Sequence, residues 1–93
     1  MGIFSRTEPV IVEGEISRIG IIFNSDSSLV YGVHLVGRDG RFWVDSNVGA
    51  RRSTNDHITM AARGDHVRFG TNPKSRHEAM GFFENRTMAV DLG

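Results

Sequence analysis

No cysteine occurs anywhere in this chain. Disulfide staples and thiolate metal sites are therefore excluded, and a reducing cytoplasm is the expected setting. The sequon Asn85-Arg86-Thr87 then reads as a chance match. Long apolar runs are missing too, since none approaches the roughly 20 residues a helix needs to cross a bilayer. The opening MGIFSRTEPV has no charged-then-apolar layout of a secretory signal, and Arg6 stands where a myristoylation pattern needs Ser or Thr. Net charge is absent as well: eleven basic residues balance eleven acidic ones, which argues against gripping a polyanion by bulk charge alone. What is present, 39% hydrophobic and 24% charged residues in 93 positions, describes one small globular domain over residues 1–93, with 1–9 as a candidate disordered lead-in.

Catalytic patterns are also missing. His77-Glu78-Ala79-Met80-Gly81 begins like a zinc-protease helix but has glycine where the second histidine must stand. The four histidines, His34, His57, His66 and His77, fall on four different elements without ligand-like spacing. No serine occupies a Gly-x-Ser-x-Gly elbow, and no glycine-rich segment follows the phosphate-loop pattern. No enzyme activity, metal or cofactor is expected.

Periodicity favours strands. Residues 10–23, VIVEGEISRIGIIF, alternate Val12, Gly14 and Ile16 against Glu13, Glu15 and Ser17, as in a half-buried strand. Gly14 and Gly20 suggest a bulge or bend that lets one long strand serve two edges of a barrel. After the turn NSDSS, residues 29–36 form a second strand, and Asp39-Gly40 signals a two-residue hairpin into a third strand from Arg41 to Asp45. A polar connection follows from Ser46 to Ala62, with Thr54 or Asn55 able to cap a short helix over 56–62. His66 to Phe69 is a fourth strand, residues 70–78 a polar basic loop, and 86–92 a fifth strand with Met88, Val90 and Leu92 inward. Phe82-Phe83 is a pair that strand alternation cannot bury on one face.

Five strands with at most one short helix before the fourth make an all-β, OB-like small barrel. Phe42-Trp43-Val44-Asp45-Ser46, followed by Arg63-Gly64-Asp65-His66-Val67-Arg68-Phe69, resembles the cold-shock type of OB barrel. There an aromatic third strand precedes a variable loop and a Gly-acidic-x-Val-x-Phe strand. Val12-Glu13-Gly14-Glu15-Ile16 is similar to the opening strand of that family. Leu29-Val30-Tyr31-Gly32-Val33 stands where the family carries its aromatic-glycine RNA-binding stretch, so Tyr31 and Gly32 keep only part of that motif. The resemblance implies binding of single-stranded RNA or DNA.

A turn centred on Asp39-Gly40 sets Val36 opposite Trp43, Leu35 opposite Val44 and His34 opposite Asp45, the last a candidate ion pair. Side chains then separate by parity. Val33, Leu35, Phe42 and Val44 form an apolar inner face, while His34, Arg41 and Trp43 face outward. Charge is uneven along the chain: from Arg38 to Arg76 eight basic residues meet four acidic ones, and ten of the eleven basic residues are arginine. Trp43, Arg41, His34 and Tyr31 are thus a candidate base-stacking platform. Arg51 and Arg52 from one loop, and Lys74 and Arg76 from another, would flank it and meet phosphates. Alternatively, Trp43 packs on the 46–62 connection or a partner subunit, and the barrel is a protein-interaction or dimerisation module.

Overall fold

The computed structural model describes residues 8–26, 28–48 and 57–88. Five strands form a closed all-β barrel: β1 (Val10–Asn24), β2 (Leu29–Leu35), β3 (Phe42–Asp45), β4 (His66–Asn72) and β5 (Ser75–Asn85). Around the barrel the order is β1-β2-β3-β5-β4, with β4 returning to β1, an arrangement compatible with an OB-like fold. Helical structure among the described residues is limited to single turns at 57–59 and 86–88 and a 3-10 residue at Val48. The expected helix caps Thr54 and Asn55 lie outside them, as do residues 1–7 of the lead-in. None of the described helical segments is long and apolar enough to cross a membrane.

The long first strand serves two neighbours, as its glycines suggest. Val10 to Glu15 pairs with β4, and Ile16 to Asn24 pairs with β2. The register shifts fall between Ile16 and Arg18 and between Ile21 and Phe23, not at Gly14 or Gly20. Backbone groups at the change of neighbour are all used: Val36 N–H donates to the Glu15 carbonyl at 2.9 Å, Ile16 N–H to the Asp65 carbonyl at 2.8 Å, and Gly64 N–H to the Ile16 carbonyl at 2.8 Å.

The β2–β3 hairpin is looser than a two-residue turn. Val33 pairs with Phe42, Gly32 with Trp43, Tyr31 with Val44 and Val30 with Asp45, a slip of four residues from the expected register. β2 keeps pairing with β1 as far as Leu35, and the chain then turns at Val36-Gly37, with Arg38 N–H bonded to the Leu35 carbonyl at 3.2 Å and Gly37 at φ 77°. Only after a second left-handed glycine, Gly40 at φ 86°, does β3 begin. The four-residue slip is even, so parity survives: Val33, Leu35, Phe42 and Val44 are all buried, and Trp43 is half exposed. The expected His34–Asp45 pair does not form. Asp45 instead accepts from the Ser28 hydroxyl at 2.9 Å and from Asn47 N–H at 2.8 Å.

The expected loop at 70–78 and final strand at 86–92 are also corrected. β4 runs to Asn72, turns at Pro73-Lys74 with Lys74 N–H donating to Asn72 Oδ1 at 2.9 Å, and returns as β5 from Ser75. Met88 lies in the 86–88 turn, while Val90 and Leu92 lie outside the described residues. Polar residues 75–78 stay in the strand because their side chains face solvent and the backbone supplies the pairing. Further along, an irregularity around Gly81, at φ 87°, interrupts the ladder, yet Ala79 and Phe83 both point inward. Phe83 stacks on Phe69 at 5.4 Å, and Phe69 meets Phe42 edge to face at 5.3 Å. Burial of such a ring contributes about 1.5–3 kcal/mol. Phe82 points the other way, beneath the Arg68 guanidinium at 5.3 Å.

Two measurements test this packing. A Cβ at Gly70 would lie 2.6 Å from Pro9 Cβ and 2.7 Å from the Met80 carbonyl oxygen, whereas at Gly20 nothing lies within 4 Å. Gly70→Ala should lose roughly 1–3 kcal/mol in denaturant unfolding, and Gly20→Ala should lose nothing; equal effects would contradict the packing. On the β1–β4 surface, His66 Nε2 lies 2.8 Å from Glu13 Oε2, and this hydrogen bond holds the Glu13 carboxyl below its ordinary range. A lowered carboxyl stabilises the fold above the ordinary carboxylate pKa, and that contribution is lost as pH falls through the lowered value. A carboxyl-carbon NMR titration should therefore give Glu13 a low midpoint that rises in His66→Ala. An unmoved midpoint would rule out the pair.

Candidate nucleic-acid interface

One row of paired residues crosses the outside of the barrel. Gly20 pairs with Gly32, Gly32 with Trp43, and Trp43 with Glu78 of β5. Two glycines beside an indole leave a flat strip of backbone on the β1–β2 side of the ring. That strip is covered by a cation: a Cβ at Gly32 would fall 2.6 Å from Arg41 Cδ and 2.8 Å from Ile22 Cγ2. Glycine at 32 therefore allows the Arg41 side chain to lie low across β2 toward β1.

Beneath the ring edge the site is built by a residue with no local cue. His77, on β5, tilts over Phe42 with ring centroids 5.0 Å apart. Its far side meets the backbone of the loop, where a Cβ at Gly40 would lie 2.5 Å from the imidazole. His77 thus touches both the core phenylalanine and a glycine while staying exposed. Together His34, Gly40, Arg41, Trp43 and His77 enclose a shallow concavity of about 460 Å³. It shares His34 and Arg41 with a second, of about 370 Å³, lined also by Arg18, Gly20, Ile22 and Gly32.

The electrostatics are lopsided. Arg18 and Arg41 lie on the β1–β2 side of Trp43, and Glu78 lies on the β5 side, accepting a hydrogen bond from the Asn72 amide at 3.2 Å. A phosphate on the β1–β2 side of the indole would therefore meet Arg18 and Arg41. Trp43 is 50% exposed, enough for one face of the ring to take a flat partner.

Three of the expected platform residues, Trp43, Arg41 and His34, come together. Tyr31 does not join them: it is half-buried and packs against the core, on the side of the sheet that Val44 shares. Lys74 sits on the β4–β5 turn and lines neither concavity. Arg76 lies on the far side of His77, around a third hollow. Arg51 and Arg52 lie outside the described residues. His77 and Arg18 are the additions that sequence reasoning missed. Of the other histidines, His57 Nδ1 accepts from the Asn85 backbone N–H at 3.0 Å, and His66 holds Glu13. Among the described residues, no three of the His, Asp and Glu side chains gather in a way that would hold a metal ion.

The role given to Gly32 is testable without a ligand. Gly32→Ala should keep the far-ultraviolet spectrum and cost at most about 1 kcal/mol, since the displaced side chains reach solvent. The Arg41 Nε–H resonance should move, because the guanidinium is lifted from the strip; an unshifted signal would mean that Arg41 does not lie there. Comparison with protein families, with curated proteins and with solved structures yields no match.

Proposed function

We propose that this chain is a binding module for single-stranded nucleic acid, RNA or DNA, gripped through the outer face of β2 and β3. The observation that carries the reading is the half-exposed Trp43 set in a row with two glycines and flanked by Arg41, His34 and His77. A base stacked on the indole contributes roughly 1–3 kcal/mol, and Arg41, lying over the strip beside the ring, is placed to meet its phosphate. Arg41 and Arg18 supply phosphate contacts that weaken with salt. The resemblance of residues 42–46 and 63–69 to cold-shock-type barrels supports the same reading, although Val67 and Phe69 of that stretch serve the core. With zero net charge, the expected affinity for a nonspecific strand is about micromolar or weaker.

A second reading, a protein-interaction or dimerisation barrel, is favoured by one observation. Ile21 and Phe23, near the far end of β1, are more than half exposed on a strand that pairs with β2. Concentration-dependent sedimentation addresses it, since a stable dimer would favour that role for the barrel.

The decisive measurement uses the lone tryptophan as its own reporter. Oligothymidylate and oligouridylate should both be titrated into the protein at low salt, and at least one should quench or shift the Trp43 emission. Arg41→Ala should weaken that response and flatten its salt dependence. Trp43→Phe, followed by fluorescence anisotropy of a labelled oligonucleotide, should bind more weakly by up to roughly tenfold. A spectrum that neither DNA nor RNA moves would overturn the proposal.

A further inference from the structure

We infer that the nucleic-acid path does not end at the platform but continues over His77 into the mouth of the barrel, where Arg38 and Arg76 receive a phosphate. The inference rests on the reading of the site given above and extends it to a footprint. The basis is the way three hollows share walls. The Arg18 hollow and the Trp43 hollow have His34 and Arg41 in common, and the Trp43 hollow shares His77 with a third one of about 460 Å³. That third hollow has an apolar floor of Val10, Val12 and Phe42 and a rim carrying Arg38, Arg76 and Asp39.

The floor is the open end of the core. Val12, Phe42 and Thr71 are buried in the barrel, and the Thr71 hydroxyl is turned away into a hydrogen bond with the Val10 carbonyl at 3.1 Å. The mouth thus offers apolar surface with cations at the edge, which suits a base lying flat with its phosphate outward. Arg38 and Arg76 are both exposed and outnumber the single Asp39 carboxylate. They reach the same rim from different elements: Arg38 from the loop after β2, between Gly37 and Gly40, and Arg76 from the second residue of β5. His77, exposed beside Phe42 and Gly40, is the ridge that a strand would cross.

Three hollows in series, with arginines at both ends, fit a strand of about three to four nucleotides, the short end of what one small barrel of this kind covers. A ladder of oligothymidylates from dimer to octamer, read by Trp43 emission, tests this. Affinity should climb steeply up to the trimer or tetramer and only slowly beyond. In the double variant Arg38→Gln with Arg76→Gln, which keeps side-chain bulk on an exposed rim, the dimer should bind as in the parent and the tetramer roughly tenfold more weakly. The slope of log affinity against log salt for the tetramer should fall from about −2 to about −1.4, as contacts to its three phosphates become contacts to two. A double variant that binds the tetramer with parental affinity and slope overturns the extended path and leaves the platform standing. An equal loss for dimer and tetramer also overturns it, since that would be a general charge effect. Failure of every oligothymidylate, and of the matching oligouridylates, to move the emission would remove the platform reading, and this inference with it.

Discussion

Backbone hydrogen bonds at the bend of β1 hold the barrel together. A strand that leaves one neighbour for another exposes polar groups in the interior, and each unpaired one costs about 1–3 kcal/mol. Here the Glu15 and Ile16 groups find partners in Val36, Gly64 and Asp65. The bend therefore pins two loops, one entering the β2–β3 connection and one entering β4. Asn85, fully buried at the end of β5, extends the same polar system: its side-chain amide donates to Asp65 Oδ2 at 2.9 Å, and its Oδ1 accepts from Met88 N–H at 3.1 Å. Asp65 Oδ2 also accepts from Ala62 N–H at 3.0 Å. A continuous set of bonds thus runs from the first strand to the turn after the last.

The candidate site is a product of that frame. β2 continues beside β1 to Leu35, past its last pair with β3 at Val33, and residues 36–41 connect it to β3. That connection brings Gly40 over to β5, where it closes on His77. A tight hairpin would have set Trp43 beside Val36 instead of Gly32. The ring series Phe83, Phe69, Phe42 and His77 then links the centre of the core to the surface, so the imidazole rests on a rigid support.

Much of this was legible in the residues, for identifiable reasons. The all-β barrel and the shared first strand follow from β-branched alternation, which survives any even slip of register. That is why Phe42 inward and Trp43 outward could be read although the pairing itself was displaced by four. β5 was not legible, because its first four residues are polar and the irregularity around Gly81 breaks the apolar alternation that normally marks a strand. His77 was invisible for a different reason. Its partners, Phe42 and Gly40, lie more than thirty positions away, and nothing local distinguishes it from a loop histidine. Gly32 was the available clue, since a glycine inside a strand often marks a close approach.

Among the described residues, β3 and β5 are joined by one bridging pair, Trp43 with Glu78, and it is parallel. The residue that offers its ring to solvent is therefore also the one whose backbone closes the cylinder. Anything laid across the indole and onto His77 rests on both strands at once and straps that seam. Whatever binds only the closed form adds RT ln(1 + [L]/Kd) to its stability. A ligand seated on the ring would thus lie across the strand pair that has the fewest bridging residues among the described ones.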